Sequence, residues 1–115
     1  MCGISYIQNF SDKSKINKIL NSMRDRGPDG KDYKILDNNF FGFSYLSITG
    51  SFKKTKQPYI GKKSILIFNG EIFNFRELAK ELNLTNKIKN DCDTEFLSAC
   101  LEKYGIKKTL QKING

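Results

Sequence analysis

The chain contains no histidine. That absence excludes the Cys-His and Ser-His pairs of most nucleophilic enzymes, and it removes every imidazole metal ligand. Cysteine is sparse: Cys2, Cys92 and Cys100, with no CxxC spacing among them. Neither a zinc site nor a dithiol redox motif is supported, and an odd count without a secretory leader suggests a reducing compartment. Long apolar runs are missing too. The longest is Ile65-Leu66-Ile67-Phe68, far too short to span a bilayer, and the N-terminus lacks the basic start and apolar stretch of a signal peptide. A cytoplasmic protein with no membrane association is expected. Arginine is scarce: 17 of the 20 cations are lysine, and the net charge is +8. The lysines are scattered and form no basic stripe, so no nucleic-acid partner is expected.

What is present is a modest apolar content of 38% with nine phenylalanines, enough for a packed domain. Ile4–Ile7 reads as a short buried strand. Ser11 or Asp12 can cap a helix with Ile16, Ile19, Leu20 and Met23 on one face, stopped near Arg26 by Gly27-Pro28. Strands are expected at Tyr33–Leu36 and Phe40–Ile48, joined by an Asp37-Asn38-Asn39 turn. Residues 49–63 read as a loop, and Ser64–Phe68 as a buried strand ending in an Asn69-Gly70-Glu71 turn. Asn74 and Asp93 can cap two further helices. Leu78, Ala79 and Leu82 face inward on the first, and Phe96, Leu97, Cys100, Leu101 and Tyr104 on the second. Gly105 suits the C′ position of that last helix, and an amphipathic tail uses Ile106, Leu110 and Ile113. The class is α+β with mainly antiparallel strands. There are no repeats and no visible internal linker, so one domain is expected.

The second residue carries the most chemistry. Once Met1 is removed, Cys2 brings a thiol and a free α-amine, with a pKa of about 7.7–8.0, to one carbon. An N-terminal nucleophile can thereby carry its own base. Alone, an early cysteine is a weak signal. Asn69-Gly70 alone is more often a turn, Asp93 a helix cap, and Arg26-Gly27-Pro28-Asp29 a helix stop. Taken together and in order, Met1-Cys2-Gly3-Ile4, Arg26-Gly27-Pro28-Asp29, Gly42-Phe43-Ser44-Tyr45-Leu46-Ser47-Ile48, Phe68-Asn69-Gly70-Glu71-Ile72-Phe73-Asn74 and Asp93-Thr94-Glu95 resemble the N-terminal glutaminase domain of the asparagine synthetase family. Those are class II glutamine amidotransferases of the N-terminal nucleophile hydrolase group.

The resemblance runs over residues 1–115 and implies part of an αββα sandwich of two antiparallel sheets between helices, incomplete at its C-terminus. It implies hydrolysis of glutamine to glutamate and ammonia through a Cys2 thioester, with the ammonia passed to an asparagine synthetase-like partner. Cys2 would be the nucleophile, with the Asn69 side-chain amide and the Gly70 N–H as oxyanion donors. Asp93 and the Glu71 region would hold the substrate ammonium, Arg26 would order the pocket, and Ile48 would line the substrate site. No cofactor or metal is implied in this chain, because ATP and Mg belong to a separate synthetase domain.

Two departures bear on this expectation. The family pattern near glycine-histidine-x-arginine-leucine-serine-isoleucine has Phe43 for the histidine and Tyr45 for the arginine that would grip the substrate carboxylate. Lys53 or Lys54 could supply a replacement cation. The chain is also shorter than family glutaminase domains, which implies a synthetase subunit or second chain completing the sandwich, or self-association into a homo-oligomer. The alternative function is a catalytically impaired amidotransferase-like module that acts by binding a partner.

Overall fold

The computed structural model describes residues 2–47 and 56–115. The chain divides into two compact units, one of Met1–Pro58 with Ile67–Asn69, the other of Tyr59–Leu66 with Gly70–Gly115. Both mix helices with antiparallel strands, so the α+β class holds.

The first unit is a three-stranded antiparallel sheet covered on one face by a helix. Its strands are β1 (Gly3–Ile7), β2 (Gly30–Leu36) and β3 (Asn39–Tyr45), ordered β1-β3-β2. β2 and β3 are joined by Asp37-Asn38, whose φ angles of 48° and 58° are both left-handed. Two consecutive left-handed residues give the hairpin turn whose twist matches the strands, and Asp and Asn tolerate that region. The register pairs Leu36 with Asn39, so the turn is one residue tighter than expected. β2 starts earlier than the sequence suggested, at Gly30, and β3 stops at Tyr45. Of the expected strand end, Leu46 and Ser47 belong to no strand, and Ile48 lies outside the described residues.

The helix α1 (Ile16–Ser22) follows a 3-10 turn at Lys13–Lys15, where Asp12 Oδ1 accepts from the Ser14 amide at 3.1 Å. Its Leu20 joins Phe10, Met23 and Phe40 in a buried cluster flanked by Ile7, Ile16, Ile19 and Ile35. Alternation along β3 turns Phe40, Gly42 and Ser44 to this side, the face they share with Gly3, Ser5 and Ile7 of β1. Close approach demands small residues there: a Cβ on Gly3 would stand 2.9 Å from Met23 Cβ. The helix ends before Arg26, as tight turns donating Met23, Arg24 and Arg26 amides to Leu20, Asn21 and Met23 carbonyls lead into Gly27-Pro28.

In the second unit, β4 (Tyr59–Ile60) and β5 (Ile65–Leu66) form a short antiparallel ladder. The expected buried strand Ser64–Phe68 is therefore two residues long and only half-buried. Past Leu66 the ladder stops, and the Phe68 N–H and C=O are taken by the Gln57 side chain instead. The β4–β5 turn is fastened by Glu102, whose Oε1 accepts from the Lys63 amide at 2.9 Å and the Ser64 hydroxyl at 2.8 Å. These bonds, the Lys63 amide first, hold its carboxyl below the usual range.

The helices α2 (Phe75–Glu81) and α3 (Asp93–Leu110) pack through Phe75, Leu78, Ala79, Phe96, Leu97 and Cys100, with the Phe75 and Phe96 rings 6.4 Å apart. α2 closes in a Schellman motif: Asn83 is left-handed at φ 54°, Leu84 donates to Ala79 at 2.7 Å and Asn83 to Lys80 at 3.2 Å. Gly105, at φ 76° and ψ 172°, breaks α3 into two helical segments. The break resets the helical phase, so Ile106 and Leu110 are exposed and Thr109 is buried, contrary to the amphipathic tail expected. Among the described residues, no helix is long and apolar enough to cross a membrane.

Candidate functional site

In the first unit, Cys2 directly precedes the first ladder pair, Gly3 with Ser44, and so lies beside the end of β3. The Leu46 amide donates to its Sγ at 3.5 Å, and the thiol donates to the Leu46 carbonyl at 3.9 Å. Arg26 Nε donates to the Cys2 carbonyl at 3.3 Å. The residue is thus held at its sulfur and at its main chain, and it is half-buried.

Arg26 reaches that carbonyl because its loop is fastened to β3. Gly27 lies so close that any Cβ would overlap the Ser44 carbonyl group and the Tyr45 amide. Pro28 forms a parallel bridge with Tyr45, and the Asp29 amide donates to the Tyr45 carbonyl at 3.0 Å. The Asp29 carboxylate then accepts from the Ser47 amide at 2.7 Å, which fixes the segment after β3. The Arg-Gly-Pro-Asp run therefore does more than stop a helix. It holds the chain on which Cys2 is seated.

Tyr45, standing where an arginine was expected, is buried, with its ring 6.3 Å from that of Phe43. Lys53 and Lys54 lie outside the described residues, as do Met1 and Ile48. Asn69 belongs to the same compact unit as Cys2 and is half-buried. The residue before it, Phe68, is gripped by the buried side chain of Gln57: the Phe68 amide donates to Gln57 Oε1 at 2.6 Å, and Gln57 Nε2 donates back to the Phe68 carbonyl at 3.0 Å. A cavity of about 230 Å³ in this unit is bounded by Leu20, Arg24, Gly27, Lys31 and Ser44, and neither Cys2, Arg26 nor Asn69 lines it.

In the second unit, Gly70 and Glu71 are exposed. Asp93 does not cap α3: the N-cap is Cys92, and Asp93 is the first helical residue. Its Oδ2 accepts from the Ile72 amide at 3.1 Å, so the carboxylate ties the segment after Glu71 to the start of α3, where the helix dipole favours a negative charge. Asn74 holds the N-cap position of α2 without bonding its amides. Its side chain is instead occupied by the C-terminal segment, donating to the Lys112 carbonyl at 3.0 Å and accepting from the Asn114 amide at 2.9 Å. Burial pushes the thiols of Cys92 and Cys100 up, which suits structural rather than reactive cysteines. Among the described residues, no group of three or more acidic or cysteine side chains is placed to hold a metal ion.

Two participants were not singled out from sequence. Gln57 carries no periodic or motif signal, and a buried glutamine in a lysine-rich stretch cannot be told from a solvated one. The Leu46 main chain was invisible for a simpler reason, since any residue can supply it.

The sequence pattern of one family, described as a glutamine amidotransferase domain, matches residues 1–115. A probable asparagine synthetase [glutamine-hydrolyzing] of Acanthamoeba polyphaga mimivirus is 30% identical over 99% of this chain and 22% of its own length. Asparagine synthetase [glutamine-hydrolyzing] 1 of Bacillus subtilis is 36% identical over 90% of this chain and 18% of its own. A putative asparagine synthetase [glutamine-hydrolyzing] 2 of Methanocaldococcus jannaschii is 30% identical over 100% and 26%. The chain thus spans about a quarter or less of these relatives.

Proposed function

The chain belongs to the glutamine amidotransferase domain family, and we propose that it hydrolyses glutamine to glutamate and ammonia with Cys2 as nucleophile. The observation that carries this reading is the seating of Cys2, with Arg26 on its carbonyl and the Leu46 main chain on its sulfur. In the reaction, Sγ attacks the carboxamide carbon and the carbonyl becomes an oxyanion. The Asn69 side-chain amide and the Gly70 N–H are the donors for that charge. The α-amine of Cys2, free once Met1 is removed, takes the thiol proton and delivers it to the leaving nitrogen, so that ammonia departs. Water then opens the Cys2 thioester, releasing glutamate and restoring the thiol. Asp93 and Glu71 are assigned to the substrate ammonium. The relatives' names join glutamine hydrolysis to asparagine synthesis. On that basis the ammonia passes to an asparagine synthetase-like partner, and ATP and Mg act there rather than here. Glutamine-dependent ammonia release, measured with the partner present, tests the reading. It is expected to fall to background in Cys2→Ala, and turnover that survives this substitution would refute it.

A second reading, a module that binds a partner with little catalysis of its own, is favoured by one observation. Tyr45 places a neutral, buried ring where the family pattern has a guanidinium. A tyrosine offers one neutral hydrogen bond where an arginine forms a bidentate, charge-assisted pair with a carboxylate.

A further inference from the structure

We propose that Gln57 is a positioning residue for Asn69, acting through the main chain of Phe68. The inference rests on the reading of Asn69 as an oxyanion donor. Three observations carry it. First, Asn69 is half-buried and, among the described residues, nothing pairs with its side-chain amide, so only its own backbone aims that amide. Second, this backbone belongs to no regular element, because β5 ends at Leu66 and residues 67–69 are in neither strand nor helix. Third, Gln57 supplies what the ladder no longer does. In the register that pairs Tyr59 with Leu66, the residue opposite Phe68 is Gln57. There the primary amide of Gln57 stands in for a strand's main chain, with both a donor and an acceptor. It satisfies the N–H and C=O of Phe68 at 2.6 and 3.0 Å.

The choice of glutamine follows from this geometry. Only a side-chain amide offers a donor and an acceptor side by side, as a neighbouring strand would. At 3% exposure, Gln57 is shielded from the water that would otherwise compete for Phe68. An oxyanion donor is effective only if it is already aimed where charge develops, so a main chain held on both polar groups just before Asn69 is a device for aiming it.

The test compares the parent chain with Gln57→Met, which keeps the length and loses both hydrogen bonds, and Gln57→Glu, which keeps the acceptor for the Phe68 amide. Ammonia release is measured with the partner present. Amide exchange of Phe68 and the side-chain amide resonance of Asn69 are followed by NMR on the same proteins. The expected result is a drop in kcat of at least about tenfold in Gln57→Met, against the 10²–10³ typical of losing an oxyanion donor outright. KM should stay within about twofold, Phe68 exchange should quicken and the Asn69 amide should shift, with Gln57→Glu intermediate in each. Should Gln57→Met fail to fold, Gln57→Glu alone carries the comparison. An active parent whose kcat survives the substitutions overturns the inference. An inactive parent would instead defeat the glutaminase reading. In that case the Asn69 resonance decides the positioning role, which is upheld if the resonance moves and overturned if it does not.

Discussion

Replacing Gly27 with alanine should release the loop that holds Cys2. The added methyl would meet the Ser44 carbonyl group and the Tyr45 amide, both main-chain groups of β3. A side chain could rotate away, but a central strand paired on both edges cannot. The loop must lift, and two hydrogen bonds go with it: Asp29 amide to Tyr45 carbonyl at 3.0 Å, and Ser47 amide to the Asp29 carboxylate at 2.7 Å. A neutral bond contributes about 0.5–1.5 kcal/mol and a charged one about 1.5–3, so the loss is about 2–4.5 kcal/mol. Against the 5–15 kcal/mol typical of native proteins, that is a large fraction. With a urea dependence of about 1–3 kcal/mol per molar, the unfolding midpoint should fall by roughly 1 M or more. Lifting the loop also withdraws Arg26 from the Cys2 carbonyl, so glutamine turnover should fall in the fraction that remains folded. Gly105→Ala is the comparison, since nothing lies within 4 Å of a Cβ there and only the strain of its φ of 76° is added. A Gly27→Ala protein within about 0.5 kcal/mol of the parent, the range of an ordinary surface change, would show that the loop is not fastened as described.

Two further predictions concern the substrate and pH. Tyr45→Arg restores a guanidinium for the substrate carboxylate, and at about 1.5–3 kcal/mol for hydrogen bonds to a charged group it should tighten glutamine binding roughly tenfold or more by calorimetry. Unchanged affinity would mean that Tyr45 does not stand at the carboxylate. Tyr59 is held above the usual phenol range, first by burial and then by the charges of Glu95, Cys92 and Glu102. The folded chain therefore keeps the Tyr59 proton at a pH where the unfolded chain has lost it. Stability must decline as pH rises past about 10, and more steeply than in Tyr59→Phe. Parallel declines in the two proteins, followed by denaturation against pH, would contradict the assignment.

Much of the architecture was legible because it follows from local rules. Ile4 to Ile7 marked β1, although the strand expected to be buried leaves Ile4 and Tyr6 exposed, since its alternate residues face away from the α1 side. The apolar face from Ile16 to Met23 marked α1, and Asp37-Asn38 marked the hairpin. What escaped depends on partners distant in sequence. The strand expected over Ser64–Phe68 shrinks to two residues, and the Phe68 main chain pairs instead with the side chain of Gln57, 11 positions away. Ile106 and Leu110 turn outward because Gly105, correctly read as a place where a helix ends, is followed by a second helical segment in a new phase. Asp93 stands one residue inside α3, after the extended Cys92, and its carboxylate serves the Ile72 amide, 21 positions away, rather than the helix's own N–H groups. The candidate nucleophile was visible from its place in the chain, whereas its seating by Arg26 and Leu46 was not, since both contacts are to or from main-chain groups.

The central claim is that Cys2 is a nucleophile directed at glutamine. The most direct measurement is peptide mapping by mass spectrometry after exposure of the purified chain to an electrophilic glutamine analogue. The account predicts one adduct per chain, on Cys2, suppressed by excess glutamine, with the buried Cys92 and Cys100 unmodified. No adduct on Cys2, or an adduct that glutamine does not suppress, would contradict it.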